Sequence, residues 1–328
     1  VEHFKKYAND VIAYMMPPEG ALVVDIRSND GTLLRFFQKR GMNILGIDPA
    51  RDIALKSTES GIKTLPTFFT LDLARKIKKE YGLAKIITAN NVFAHIDNLS
   101  DVTKGIYHLL SPNGLFIFEV SYLVDILQEM LFDTIYHEHM SFHSARPLES
   151  FFRSHGMEIV NIEHIPAKGG SLRCYVQIAG GPRTISPSVT ELITLEKNLG
   201  IERPETFKAF ATKIEGIKTQ LLSLLHDFKK QGKTIVGYGA SVTVTTLIYH
   251  FDLGDKLGFL YDDNPIKHNL FSPGYHIPIL PSQEIYKQKP DYVIILAWNY
   301  SQQIISKHQA FLNQGGHFIV PLPQIEII

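Results

Sequence analysis

Short apolar runs recur along this chain, each followed by an amphipathic helical pattern, and that alternation limits the fold more than any other feature. "ALVVDI" (Ala21–Ile26), "NILGIDP" (Asn43–Pro49), "KIITANNVF" (Lys85–Phe93) and "GLFIFEVSY" (Gly114–Tyr122) are too uniformly apolar to leave one face in water. Helical patterns follow them, such as "TLLRFFQKRG" and "DIALKSTESG", the second stopped by Gly61. Strands buried on both faces and joined by helices make βαβ units and a parallel sheet covered on both sides. "MEIVNIEHIP" and "SLRCYVQIAG", joined by "AKGG", read as an antiparallel pair closing one sheet edge.

"GGPRTISPS" (Gly180–Ser188) then breaks the pattern. In "FKAFATKIEGIKTQLLSLLHDFKKQG" apolar residues return at three- and four-residue steps, which predicts one long amphipathic helix bridging two domains. Strand–turn–helix resumes at "KTIVGYGASVTVTTLIYH", and "KLGFLYDDN", "PDYVIILAWNY" and "GGHFIVPLP" supply further strands. The expected organisation is therefore an α/β domain over residues 1–182, a helical linker over 183–232 and a second, smaller α/β domain over 233–328.

Charge excludes some functions. Lys+Arg and Asp+Glu number 33 each among the 328 residues, so no global field draws the chain to nucleic acid or to an acidic membrane surface. No run of about 18 uncharged apolar residues is present. The single cysteine, Cys174, excludes an internal disulfide and a multi-cysteine zinc site within these residues, and fits a cytoplasmic setting. The first residue is Val, so the natural protein is expected to begin further upstream.

Four places carry chemistry. In "VVDIRSNDGTLL" a strand ends in an acid, a polar turn contains Gly31, and a helix follows; Asp48 ends the next strand. A doubly wound sheet binds nucleotide-like cofactors at such a turn, and an acid placed like Asp48 accepts hydrogen bonds from ribose hydroxyls. Arg27 stands where a dinucleotide site has its first glycine. Asp25 and Asp30 suit a cationic ligand such as S-adenosylmethionine better than a pyrophosphate. In "ITANNVFAHIDNL", Asn90, Asn91 and His95 fall at the carboxyl end of a strand, where open α/β sheets place ligands.

The third place is "FDTIYHEHMSFH", with three of the fourteen histidines. Two chemistries fit it. His137, His139 and His143 are candidate metal ligands of a hydrolase, although the order of residues is not H-E-x-x-H. Alternatively a histidine acts as a base at neutral pH, with Glu138 orienting it and Tyr136 donating to a developing oxyanion. The fourth place is "GYGAS", an anion cradle or a packing turn, with Lys267 and His268 in "YDDNPIKHN" and the ring and amide of Trp298 and Asn299 in "LAWNY" as further ligand contacts.

Taken together, "SNDGTLL", "GIDPA", "ITANNVFAHI", "NGLFIFEVSYL", "FDTIYHEHMSF" and "GGSLRCYV" resemble the S-adenosylmethionine-dependent sugar C-methyltransferases, which act on C-3 of nucleotide-linked deoxysugars. "GYGAS", "NLFSPGYHIPI", "DYVIILAWNY" and "GGHFIVPLP" look like that family's carboxyl-terminal domain. The resemblance implies a class I methyltransferase Rossmann-like sheet, a helical linker and a second Rossmann-like domain. It implies His139 as general base, assisted by Tyr136 and Glu138, with His95 at the sugar. S-adenosylmethionine would lie against Asp25, Ser28, Asn29, Asp30, Gly31, Asp48, Pro49, Phe68, Phe69 and Asn91. A nucleotide sugar, expected to be thymidine-diphosphate-linked, would meet Gly170, Ser171, Arg173, Tyr238, Gly239, Ser241, Lys267, His268, Trp298 and Asn299.

The chain departs from that pattern in three ways. The family's cysteine-rich zinc domain has no counterpart in these residues, Arg27 replaces a glycine of the cofactor turn, and Thr243 stands where a lysine usually follows "GYGA". A degenerate methyltransferase that binds nucleotide sugars without turnover is the non-enzymatic alternative.

Overall fold

The computed structural model describes residues 1–328, which divide into two compact units. The first comprises Val1–Val124 and Met140–Gly200, the second Asp125–His139 and Ile201–Ile328.

In the first unit, α1 (Glu2–Met15) precedes β1 (Leu22–Ile26), α2 (Thr32–Gln38), β2 (Asn43–Ile47), α3 (Arg51–Glu59), β3 (Thr64–Leu65), α4 (Leu71–Tyr81), β4 (Ala84–Asn90), α5 (Leu99–Leu109) and β5 (Leu110–Ser121). After α6 (Leu123–Gln128), which crosses the division, come α7 (Ala145–Ser154), β6 (Met157–Ile165), β7 (Ser171–Ile178) and α8 (Pro187–Leu199). The seven strands are ordered β3-β2-β1-β4-β5-β7-β6. All neighbours pair in parallel except β7, which runs antiparallel to both β5 and β6. The antiparallel pair expected from sequence is thus present, with β6 at the edge.

All five residues of β1 are buried, as its apolar run demands. Along β5, alternation splits the core in two. Leu115 and Ile117 join Tyr7, Val11, Leu34 and Phe37. Phe116 and Phe118 pack with Phe93 and Phe152 on the other face, at ring separations of 4.7–6.2 Å. Side chains start the helices where the sequence offers them: Thr70 accepts from the Leu73 amide for α4, and Asn98 from the Asp101 amide for α5.

The second unit contains α9 (Pro204–Lys230), β8 (Ile235–Tyr238), α10 (Val242–His250), β9 (Leu260–Asp262), β10 (Ile279–Pro281), β11 (Tyr292–Ile295), β12 (His317–Val320) and β13 (Glu326–Ile327). Its sheet is ordered β10-β9-β8-β11-β12-β13, parallel except for β13 at the edge.

The division differs from the one expected. The 183–232 segment is not a separate linker. α8 belongs to the first unit: Ser188 Oγ donates to Asn161 on β6, and the buried Glu196 carboxylate accepts the Ala145 and Arg146 amides that open α7. α9 belongs to the second: it buries the stripe Ile214, Ile217, Leu221 and Leu225, and its Phe228 stacks on Tyr292 of β11 at 3.9 Å. The insertion of Asp125–His139 into the second unit was not foreseen. No helix is long and apolar enough to cross a membrane.

Candidate active site

The chain leaves β1 for β2 and β3 on one side, and returns through β4 and β5 on the other. The carboxyl ends of β1 and β4 therefore form a topological switch point, the place where doubly wound sheets bind ligands. Backbone strain collects there. Arg27 (φ 58°), Asn29 (φ 50°) and Asn91 (φ 55°) all adopt the left-handed conformation. Arg27 thus occupies a backbone geometry that favours glycine, which is the physical sense of the departure noted at that position.

Gly31 opens α2 at φ +74°, and a Cβ there would lie 2.6 Å from Cγ2 of Ile62, so both conformation and packing require glycine. Asp48 is 5% exposed and ties the turn together. Its Oδ2 accepts the Asn29 amide at 3.0 Å and its Oδ1 the Ala50 amide at 2.9 Å. Each oxygen keeps a second lone pair. Asp30 is spent locally, accepting from the amide and hydroxyl of Thr32.

Beside this turn lies a cavity of about 270 Å³. Pro49, Phe68, Phe69 and His95 line it, with Arg27, and so do Asp97, Asn98 and Asp101, which the sequence did not single out. Phe68 is 71% exposed although it lines the cavity, while Phe69 is buried. Ser28 Oγ and both polar atoms of the Asn90 side chain are buried without a hydrogen-bond partner. Buried polar atoms rarely stay unpaired, so this edge has unspent capacity for a polar ligand. Asp48, Ser28 and Asn90 do not line the slot itself, whose wall is mainly apolar and carries the aromatic rings of Phe68 and Phe69, a composition that suits an adenosyl group.

Asp25, like Ser28, Asn29, Asp30, Gly31, Asp48 and Asn91, does not line the cavity; it is 4% exposed within the sheet and accepts from Thr88 Oγ1 at 2.6 Å. Burial, reinforced by the charge of Asp48, pushes its pKa up to about 7. Gly170, Ser171 and Arg173, expected as ligand contacts, are all buried. Gly170 and Ser171 both bond to the Ala167 carbonyl. Arg173 is 3% exposed and gives two N–H groups to Oε1 of Glu119, at 2.8 and 2.7 Å. Glu119 lies directly opposite it across the β5–β7 pair. His3 Nε2 takes the other oxygen of Glu119 at 2.8 Å, and the guanidinium covers the Tyr7 ring at 4.4 Å.

The histidine-rich stretch separates into two environments. His143 belongs to the first unit, is 7% exposed beside Phe93, and lies 3.0 Å from Ser141 Oγ. Burial pulls its pKa down to about 4, which makes it a neutral core histidine. No three histidine, cysteine or carboxylate side chains converge as a metal site, so geometry gives the metal reading no support. His137 and Glu138 are exposed.

His139 sits in the second unit within a short fold of its own. Its Nδ1–H donates to the Thr134 carbonyl at 2.6 Å. A carbonyl only accepts, so in the neutral ring the proton resides on Nδ1 and Nε2 is the basic nitrogen. The Tyr136 hydroxyl stands 3.5 Å from Nε2, at the limit of a hydrogen bond, with ring centroids 4.4 Å apart. Burial, then the charges of Glu138 and Asp133, raise the Tyr136 pKa, so its hydroxyl remains a proton donor.

At the switch point of the second sheet, Gly239 adopts φ +112°, and a Cβ there would meet the backbone nitrogen of Ala297 at 3.0 Å. Ser241 caps α10 through the Val244 amide. Tyr238, Gly239, Asp262, Asp263, Tyr300 and Lys307 line a crevice of about 280 Å³. The two acids and Lys307 were missed, although "YDDN" at a strand end was the available signal. Asp262 repeats the Asp48 device: Oδ2 accepts the Ala240 amide of the turn and Oδ1 the Asn264 amide, each at 2.8 Å. Lys267 Nζ lies 3.3 Å from Asp262, and His268 Nε2–H donates to the Asp262 carbonyl. Trp298 was expected to face a nucleotide. It is instead 7% exposed, its Nε1–H donating to Asp133 at 3.0 Å, while Asn299 is exposed.

Comparison with known proteins agrees with both halves. Residues 1–162 match the model of a methyltransferase domain, and residues 166–323 that of the C-methyltransferase C-terminal domain. C-methyltransferase NovU of Streptomyces niveus is 35% identical over 329 residues, spanning 100% of this chain and 78% of that protein. Among solved structures, PH0226 protein of Pyrococcus horikoshii OT3 is 14% identical, with 54% of this chain and 90% of that one covered at a TM-score of 0.44. Magnesium protoporphyrin IX methyltransferase of Synechocystis PCC 6803 is 13% identical, covering 52% and 78% at 0.38. With a relative 35% identical across the whole of this chain and a family match to each half, this chain belongs to the S-adenosylmethionine-dependent C-methyltransferases.

Proposed function

We propose that the protein methylates the carbon next to the ketone of a nucleotide-linked 4-keto-deoxysugar, with thymidine diphosphate as the nucleotide carrier. The observation that carries the reading is the tautomer of His139. An ordinary C–H is not nucleophilic, but a neighbouring ketone acidifies it by taking the charge onto oxygen. His139 Nε2, left unprotonated in the neutral ring because Nδ1–H bonds to the Thr134 carbonyl, takes that proton. The protonated Tyr136 hydroxyl donates to the enolate oxygen.

When bound, S-adenosylmethionine supplies an electrophilic methyl group. Asp48 would hold its ribose and Pro49, Phe68 and Phe69 its adenine, with Ser28, Asn29 and Asn91 around the rest. Gly239 and Ser241, with Lys267 and His268, would meet the nucleotide of the substrate, where Thr243 supplies a hydroxyl in place of a lysine charge.

His139→Ala tests the assignment. Turnover should fall by about 10² to 10⁴, the range a positioned base contributes, while affinity for S-adenosylhomocysteine stays within two-fold. Near-normal turnover would show that another group takes the proton.

A further inference from the structure

The protein's one tryptophan is spent inside the second unit. Trp298 follows β11, and its indole N–H donates to Oδ2 of Asp133, 165 residues away in sequence. Asp133 is 1% exposed, and its Oδ1 is buried without a partner. Such a carboxyl group is costly: burial pushes its pKa up to about 6, against the opposing pull of the Trp298 bond first and of the backbone amides of Asp133 and Thr134 after it. Stability alone does not account for it, because an apolar pair of similar volume would pack there without that cost.

The surroundings of Asp133 point to His139. Phe132, before it, packs on the rings of Phe251 and His250, each at 5.3 Å. Thr134, after it, is held by bonds from its amide and hydroxyl to the Leu131 carbonyl, at 3.1 and 2.6 Å. The Thr134 carbonyl then takes the Nδ1–H of His139 at 2.6 Å. A continuous path runs from the end of β11 to the imidazole: indole N–H, carboxyl, one peptide unit, carbonyl, ring N–H.

We infer that Asp133 and Trp298 are positioning residues, whose hydrogen bond sets the Thr134 carbonyl and through it the tautomer and aim of His139. The inference rests on His139 being the base. It makes proton abstraction a property of the second unit, which also carries the Gly239 crevice, and separable from binding of the methyl donor.

Trp298→Phe keeps a ring and removes the N–H, Asp133→Asn keeps an acceptor oxygen, and Asp133→Leu removes it. The measurement is exchange of solvent deuterium into the acidic C–H of a thymidine-diphosphate-linked 4-keto-6-deoxyhexose, without methyl donor. It is accompanied by kcat, its pH profile, and S-adenosylhomocysteine affinity by calorimetry. Small displacements of a catalytic group cost up to about 10² in rate. Trp298→Phe and Asp133→Leu should therefore slow exchange and kcat at least about ten-fold and displace the base limb of the pH profile, with cofactor affinity within two-fold. Asp133→Asn should retain most of both rates.

Wild-type exchange in Trp298→Phe, parallel losses of exchange and cofactor affinity, or Asp133→Asn as slow as Asp133→Leu would each overturn the inference. Should Asp133→Leu fail to fold, Trp298→Phe set against Asp133→Asn still decides. His139→Ala separates the two layers. If it exchanges normally, the base is misassigned and the proposed function fails. If it is silent while Trp298→Phe is normal, only the positioning role fails.

Discussion

Replacing Arg173 by Met distinguishes scaffold from ligand contact at one position. Arg173 gives two N–H groups to a glutamate that is 2% exposed, and its outer nitrogen lies 3.4 Å from both Asp10 and Glu163. Met fills much of the same space without charge. Glu119 would then keep only His3, whose side chain is 42% exposed. Leaving one member of a buried pair uncompensated costs about 3–5 kcal/mol. At roughly 2–4 °C per kcal/mol for a unit of this size, the first unit's transition should fall by about 6–20 °C in scanning calorimetry. The double variant Arg173→Met/Glu119→Leu should recover most of the loss, because it removes the stranded carboxylate as well. A fall below about 2 °C for Arg173→Met, joined to a raised KM for the sugar substrate, would refute the reasoning and return Arg173 to the substrate site.

Gly31→Ala should cost about 2–4 kcal/mol in urea unfolding, from left-handed strain plus the collision with Ile62, whereas Gly61→Ala, with nothing within 4 Å of its Cβ, should pay only the strain of about 1–2 kcal/mol. Phe68→Ala should leave stability within about 0.5 kcal/mol, as expected of a ring 71% exposed, yet weaken S-adenosylhomocysteine binding roughly ten-fold in calorimetric titration. His143 is neutral in the fold with a pKa of about 4 against 6.5 unfolded, so its contribution is in place above about pH 6.5 and is lost as the pH falls through about 4. The loss amounts to about 3 kcal/mol, and an unfolding series from pH 7 to 4 should be flatter by that amount for His143→Phe than for the natural chain.

Much of the fold was legible because its signals are local. Uniform apolar runs marked β1, β2, β4 and β5; Gly61 marked the end of α3; the three-and-four spacing marked α9. The two-residue β3 and β13 carry too few residues to show a period, and β10 hides in a proline-rich stretch. Of the residues named from the sequence, Pro49, Phe68, Phe69 and His95 line the cavity of the first unit, and Asp48 does not. The burial of Arg173, Trp298 and His143 was not legible, because an exposed and a buried guanidinium, indole or imidazole look alike in a sequence.

The order of apolar and polar residues by itself determined two α/β units and a switch-point turn at Gly31, and it singled out the histidine-rich stretch at Tyr136–His139. Periodicity and turn chemistry act over a few residues and need no partner. Only the tertiary structure decided that Arg173 spends its charge on Glu119, that His143 is a neutral core residue, and that Trp298 reaches 165 residues back to the segment bearing His139. Those outcomes depend on which distant groups burial brings into contact, and burial also sets the cost of each charge.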